Sequence, residues 1–223
     1  MTLPILYHCP DARSLRCLWA AEEAGVAIDL RLLPFPPRAF APDYRAVNPL
    51  MTVPGWVEDG RLMTESVAIC ERIAEGTPLE VRRDEPDYWA WRNWLHRSDA
   101  TLTFPLAIML RYTRVEPEER RLAQAVEDYR AFFAGRAKSI EAALADGRDW
   151  LVAGRFTIAD IAIGYAAFLA TRLGAEDALG AATQGWLARC TARASFERAR
   201  DRQRDWGRSR GSDPAGSGAV PLL

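Results

Sequence analysis

Three short stretches carry side chains able to do chemistry: Cys9-Pro10 after the first apolar run, Val53-Pro54, and Glu65-Ser66 ahead of a helical pattern. A cysteine at a helix N-terminus feels unsatisfied N–H groups, which lowers its pKa below about 8.5 and makes it a nucleophile. Proline cannot donate to a strand ladder, so Pro54 inside an apparent strand marks an edge, a bulge or a cis bond. With a cis bond at a sheet edge, the N–H and C=O of Val53 are free to pair with an extended, peptide-like ligand. Ser66 and its N–H at a helix start suit a carboxylate, and Glu65 suits an ammonium, so together they would hold an amino-acid head group. Plainer readings stand beside these. Pro54 is then a turn, Thr64 or Ser66 is an N-cap worth about 1 kcal/mol, and Cys9 is a small buried residue at a strand end.

The elements that would position these residues follow from local pattern. Residues 3–8 (LPILYH) read as a strand, and after the Cys-Pro turn SLRCLWAAEEAG reads as a helix ended by Gly25. Residues 28–33 alternate as a second strand, which after so long a crossover should run parallel to the first. A short helix is expected near 42–47. PGWVEDGRLMT holds two short apolar pieces joined by Asp59-Gly60, a hairpin signal, and a helix over 66–75 closes the first domain, 1–76. The stretch 77–85, with Pro78 and then Pro86 beyond it, reads as a linker, and 86–206 as an all-helical domain. Trp91, Trp94, Leu95 and Ser98 share one face, as do Leu122, Val126, Tyr129, Phe133, Ile140 and Leu144. The stretch 158–170 is apolar nearly all round and too short for a bilayer span of roughly 20 residues, so it should be a buried central helix. From 207 to 223, nine of seventeen residues are Gly, Ser or Pro, which predicts a disordered tail.

The totals narrow the function classes. Lys plus Arg number 29 against 30 Asp plus Glu, so a formal charge of −1 offers no global attraction for nucleic acid or an anionic membrane. The arginines from Arg193 to Arg210 interleave with Glu197, Asp201 and Asp205 and read as a solvated helix face. The first twenty residues are interrupted by Asp11, Arg13 and Arg16, which fits neither a signal peptide nor an anchor and predicts a cytoplasmic protein. Cysteines 9, 17, 70 and 190 follow no metal-ligand spacing, and with only His8 and His96 beside them no metal site is expected. Cys17, Cys70 and Cys190 fall among apolar helical residues and read as core.

The combination NP-x-x-x-VP followed by ES-x-AI, behind a β-α-β unit with a Cys-Pro turn, resembles the glutathione-binding half of the cytosolic glutathione S-transferases. The later segment WLVAGRFTIADI resembles that family's entry into its central helix, with Thr157 and Asp160 as a structural capping pair. The resemblance covers residues 3 to about 206. It implies an α+β chain with a thioredoxin-like N-terminal domain and an all-α C-terminal domain, a homodimer, and glutathione as co-substrate. Glutathione would be bound by Arg38, Val53, Pro54, Glu65 and Ser66.

The segment Cys9 to Arg16 matches C-P-x-A-x-x-x-R, similar to the catalytic turn of omega-class enzymes, whereas theta-like relatives carry serine at the cysteine position. Cys9 would form a mixed disulfide with glutathione and run thiol transfer; a serine there would favour conjugation. Tyr7 and Ser14 are the alternatives for stabilising the thiolate. One departure is visible: many relatives read N-P-x-G-K-V-P, and here Met51 and Thr52 stand in the Gly-Lys positions, leaving Arg38 or Arg13 to meet the glycyl carboxylate. The electrophile pocket would draw on Trp94, Arg97, Phe104, Met109 and Tyr112, with Asp99 reaching glutathione's ammonium across the dimer. From a different class, a non-catalytic glutathione-transferase-like binding or assembly module fits the same residues.

Overall fold

The structure, a computed structural model, describes residues 2–209, and it divides into two compact units. The first comprises residues up to Glu75 together with those from Arg193 onward, and the second is Gly76–Ala192. In the first unit β1 (Ile5–His8), α1 (Leu15–Ala24) and β2 (Asp29–Leu32) form the expected β-α-β unit, with β1 and β2 parallel. A short α2 (Pro37–Phe40) and a 3-10 turn at Pro42–Ala46 precede β3 (Gly55–Glu58), β4 (Arg61–Met63) and α3 (Ser66–Ala74). The sheet order is β2-β1-β3-β4, with β3 antiparallel to both neighbours, which is the thioredoxin-like arrangement. Asp59 (φ 49°) and Gly60 (φ 74°) both take positive φ, as a two-residue hairpin turn matched to strand twist requires. Leu6, Leu15, Leu18, Trp19, Trp56 and Ile69 fill this unit's core.

In the second unit α4 (Tyr88–Arg97) and α5 (Phe104–Leu110) form one helical run with π-helical segments at Ser98–Thr103 and Arg111–Val115. Pro105 accounts for the first of these. It has no N–H to donate and its ring crowds the carbonyl one turn back, so the bonding slips a register, and Phe104 N–H donates five residues back to Asp99. Helix α6 (Ala123–Leu144) buries Phe133, Ala137, Ile140 and Leu144, whereas Leu122 lies outside it and is exposed. Helix α7 (Ile158–Arg172) is buried from Ile158 through Ala170, as the apolar run predicts, and α8 (Ala181–Thr191) packs on it. No helix among the described residues is long and apolar enough to cross a membrane.

The α7 start is a capping box. Thr157 Oγ1 accepts from Ala159 N–H (3.2 Å), and the Asp160 carboxylate accepts from Thr157 N–H (3.0 Å), Leu151 N–H (3.0 Å) and Trp186 Nε1–H (3.0 Å). Burial pushes the Asp160 carboxyl up to about 6, and these donors oppose that shift.

Two boundaries differ from the sequence reading. The stretch 77–85 has no regular element, yet it is built into the second unit: Leu79 and Val81 are buried, and Arg155 donates to Pro78 O, Glu80 O and the Glu85 carboxylate. The last helix, α9 (Ala194–Ser209), packs on α1 in the first unit rather than with the helical domain. Helix α9 continues three residues past 206; the rest of the expected tail, 210–223, lies outside the described residues.

Candidate functional site

The β1–β3 ladder ends at the Tyr7–Gly55 pair, so the chain leaves the sheet at one end through Cys9 on one strand and Val53-Pro54 on the other. The Val53–Pro54 bond is cis, and Val53 lies outside the ladder. The loop before it is held from inside. Asn48 is fully buried; its Oδ1 accepts from Leu50 N–H (3.0 Å) and its Nδ2 donates to Thr52 O (2.8 Å), which also accepts from Tyr44 Oη (3.0 Å). Sequence reading missed Asn48 and Tyr44. The Asn-Pro of the motif was the available signal, since a buried asparagine can replace a turn's missing backbone bonds.

Cys9 is fully buried at the strand end, with Sγ donating to Pro34 O (3.5 Å). Helix α1 begins only at Leu15, so Cys9 lies outside the first turn, where the helix end acts on charge. Burial instead pushes the Cys9 thiol up, away from the lowered value that the turn's sequence predicts. Ser14 is also fully buried and spends its hydroxyl on Cys9, accepting from its N–H (3.3 Å) and donating to its C=O (3.4 Å). Tyr7 packs its ring on Tyr44 at 5.0 Å between centroids, and burial pushes the Tyr44 phenol up to about 12.

Glu65 is exposed and Ser66 buried, and Ser66 is the first residue of α3, not its cap; neither Glu65 nor any other side chain caps that helix. Ser66 Oγ accepts from Nη1 of Arg16 (3.0 Å), a guanidinium with no exposed surface, and Ser66 O accepts from Cys17 Sγ (3.5 Å). Arg16 thus stands behind the N-terminus of α3, and a helix N-terminus suits a carboxylate. Arg16 was read only as part of the turn motif. Arg38 is exposed on α2, and Arg13 is partly exposed in the turn before α1.

Residues 12–75 match the model of the glutathione S-transferase N-terminal domain. Residues 12–75 thus carry a domain of the glutathione S-transferase N-terminal type. Among its relatives, glutathione S-transferase 3 of Schizosaccharomyces pombe is 29% identical over 101 residues, which is 44% of this chain and 42% of that protein. The match therefore spans less than half of that relative's length. A glutathione transferase from Methylococcus capsulatus superposes with a TM-score of 0.78 at 20% identity, covering 90% of this chain and 98% of that one. Ure2p in complex with glutathione superposes with a TM-score of 0.76 at 22% identity, covering 88% and 97%.

In this glutathione S-transferase fold, Met51 takes φ 55° at the position where many relatives carry glycine. Left-handed backbone costs a non-glycine residue roughly 1–2 kcal/mol. Burying the methionine side chain, worth about 1.5–3 kcal/mol, offsets that here, since Met51 is buried. In the second unit Trp94 and Met109 are buried, Phe104 is exposed and stacks edge-on with Tyr129, and Arg97 lies 4.5 Å over the Trp94 ring. Tyr112 and Asp99 are half-buried, with Arg111 over the Tyr112 ring at 5.6 Å. Cys17, Cys70 and Cys190 are all buried and unbridged.

Proposed function

We propose that this chain binds glutathione as an added strand along Val53-Pro54, with Glu65 on its ammonium, the Ser66 corner backed by Arg16 on its α-carboxylate, and Arg38 near its glycyl end. The observation that carries this reading is the convergence at one sheet end of a cis Val53–Pro54 bond and the Cys9 turn, in the unit that also supplies the α3 N-terminus with Arg16 bonded to Ser66. Within this reading the protein is a cytoplasmic, homodimeric glutathione-dependent transferase. Cys9 exchanges thiol for disulfide with glutathione, and Trp94, Arg97, Phe104, Met109 and Tyr112 receive an electrophile. Tyr7 and Ser14 are the alternative thiolate donors.

A second reading, a glutathione-binding module without turnover, is favoured by one set of contacts. Cys9 is covered, the Ser14 hydroxyl is spent on the Cys9 backbone, and Tyr7 is packed on Tyr44. Native mass spectrometry after oxidised glutathione, on wild type and Cys9→Ser, separates the two when paired with thiol-transfer and conjugation assays. The transferase reading expects a dimer mass and one adduct per chain, on Cys9, with thiol transfer lost in the variant. Glutathione bound without adduct, transfer or conjugation establishes the module instead.

A further inference from the structure

Helix α9 reaches the Cys9 turn through Gln203 and Arg200. Gln203 is buried, and its Oε1 accepts from the Asp11 N–H (3.1 Å) and meets His8 Nε2 at 3.2 Å, while its Nε2 donates to Asp11 Oδ1 (2.6 Å). His8 and Asp11 are themselves buried, and they bracket Cys9-Pro10 on both sides. Asp11 takes φ 56°, a left-handed conformation that an aspartate tolerates when its backbone and side chain are both held. Arg200 lies beside it, at 3.9 Å from Asp11 Oδ1.

Helix α9 is itself fastened to α1. Trp19 Nε1 donates to Ser195 Oγ (3.2 Å), Arg193 and Ser195 donate to Glu23, and Arg198 and Arg202 donate to Glu22 (3.0 and 2.6 Å). Burial alone would push the Glu23 carboxyl up, but the bonds from Arg193 and Ser195 outweigh it and hold the group below the usual range. The helix is therefore anchored at several points along α1, and the Gln203 amide carries buried hydrogen bonds from it to the turn.

We propose that Gln203 is a positioning residue that latches the turn 9–14, so that the exposure of the Cys9 thiol is set by α9 and not by the turn's own sequence. The amide has the required double character: its oxygen takes the N–H donors of His8 and Asp11, and its nitrogen serves the Asp11 carboxylate. A glutamate at 203 would keep the acceptor and set a second carboxylate against Asp11. The consequence for glutathione chemistry rests on the reading of this turn as the thiol site; the latch does not.

The test is iodoacetamide labelling of the native full-length chain, resolved by peptide mass spectrometry so that buried Cys17, Cys70 and Cys190 report global opening. Gln203→Ala and Gln203→Glu should each speed Cys9 labelling about tenfold or more, the loss expected when buried hydrogen bonds are removed, without speeding the other three. Asp11→Asn combined with Gln203→Glu restores a donor–acceptor pair and should bring the Cys9 rate back to within about threefold of wild type. Wild-type Cys9 rates in both single variants, all four cysteines rising together, or no recovery in the double variant would overturn the latch. Glutathione affinity measured on the same proteins separates the two ideas: selective Cys9 labelling with unaltered affinity upholds the latch and counts against the turn as part of the glutathione site.

Discussion

His8 shows how far burial can move a single side chain here. It has no exposed surface, and burial drives its pKa down from about 6.5 to about 4, so the folded chain keeps it neutral where the unfolded chain takes a proton. The unfolded state then binds more protons as pH falls below 6.5, and stability is lost progressively down to about pH 4, where the folded histidine protonates. Between pH 7 and pH 5 this one group should cost about 2 kcal/mol. Asp160, raised to about 6, works in the opposite sense over much of the same range, because a folded carboxyl that holds its proton more tightly gains stability on acidification. The histidine contribution is therefore read as a difference: His8→Gln should lose about 2 kcal/mol less than wild type between pH 7 and pH 5 in urea denaturation. Equal losses in the two proteins would mean that His8 titrates normally. Cys9 follows the same rule, since burial pushes its thiol up while the helix start that would lower it begins at Leu15.

Local elements were legible in the sequence because their signals are local. The parallel β1–β2 pair came from a strand–helix–strand spacing, the β3–β4 hairpin from Asp59-Gly60, and the α7 start from Thr157 with Asp160 three residues on. The π-helical slip at Ser98–Thr103 also has a local cause in Pro105, though one that periodicity overlooks. The docking of α9 had none, because His8 and Gln203 are 195 residues apart and glutamine in an arginine-rich helix reads as solvated surface. For the same reason the turn's exposure could not be read: what covers Cys9 comes from elsewhere in the chain. Asp160 is where an element's cap and the core coincide. Asp160→Ala removes the acceptor for Leu151 N–H, Thr157 N–H and Trp186 Nε1–H together, and should destabilise the chain by about 3 kcal/mol or more. A urea midpoint within experimental error of wild type would contradict the role given to this box.

Taken as a whole, the molecule carries almost balanced charge, and Arg193, Arg198, Arg200 and Arg204, which would suggest a polyanion partner, are engaged within their own unit by Glu23, Glu22, Asp11 and Asp201. The guanidinium of Arg16 is instead buried at the Ser66 corner. Binding of the tripeptide is thus the claim on which the functional reading rests, and calorimetric titration of reduced glutathione into wild type and Glu65→Gln tests it most directly. Glu65 is exposed and its side chain caps nothing, so the substitution should leave stability unchanged. Saturable binding to the wild type, weakened about tenfold or more by loss of a charge-assisted bond to the ammonium, is the predicted result. No saturable binding to the wild type, or equal affinity in the two proteins, would contradict it.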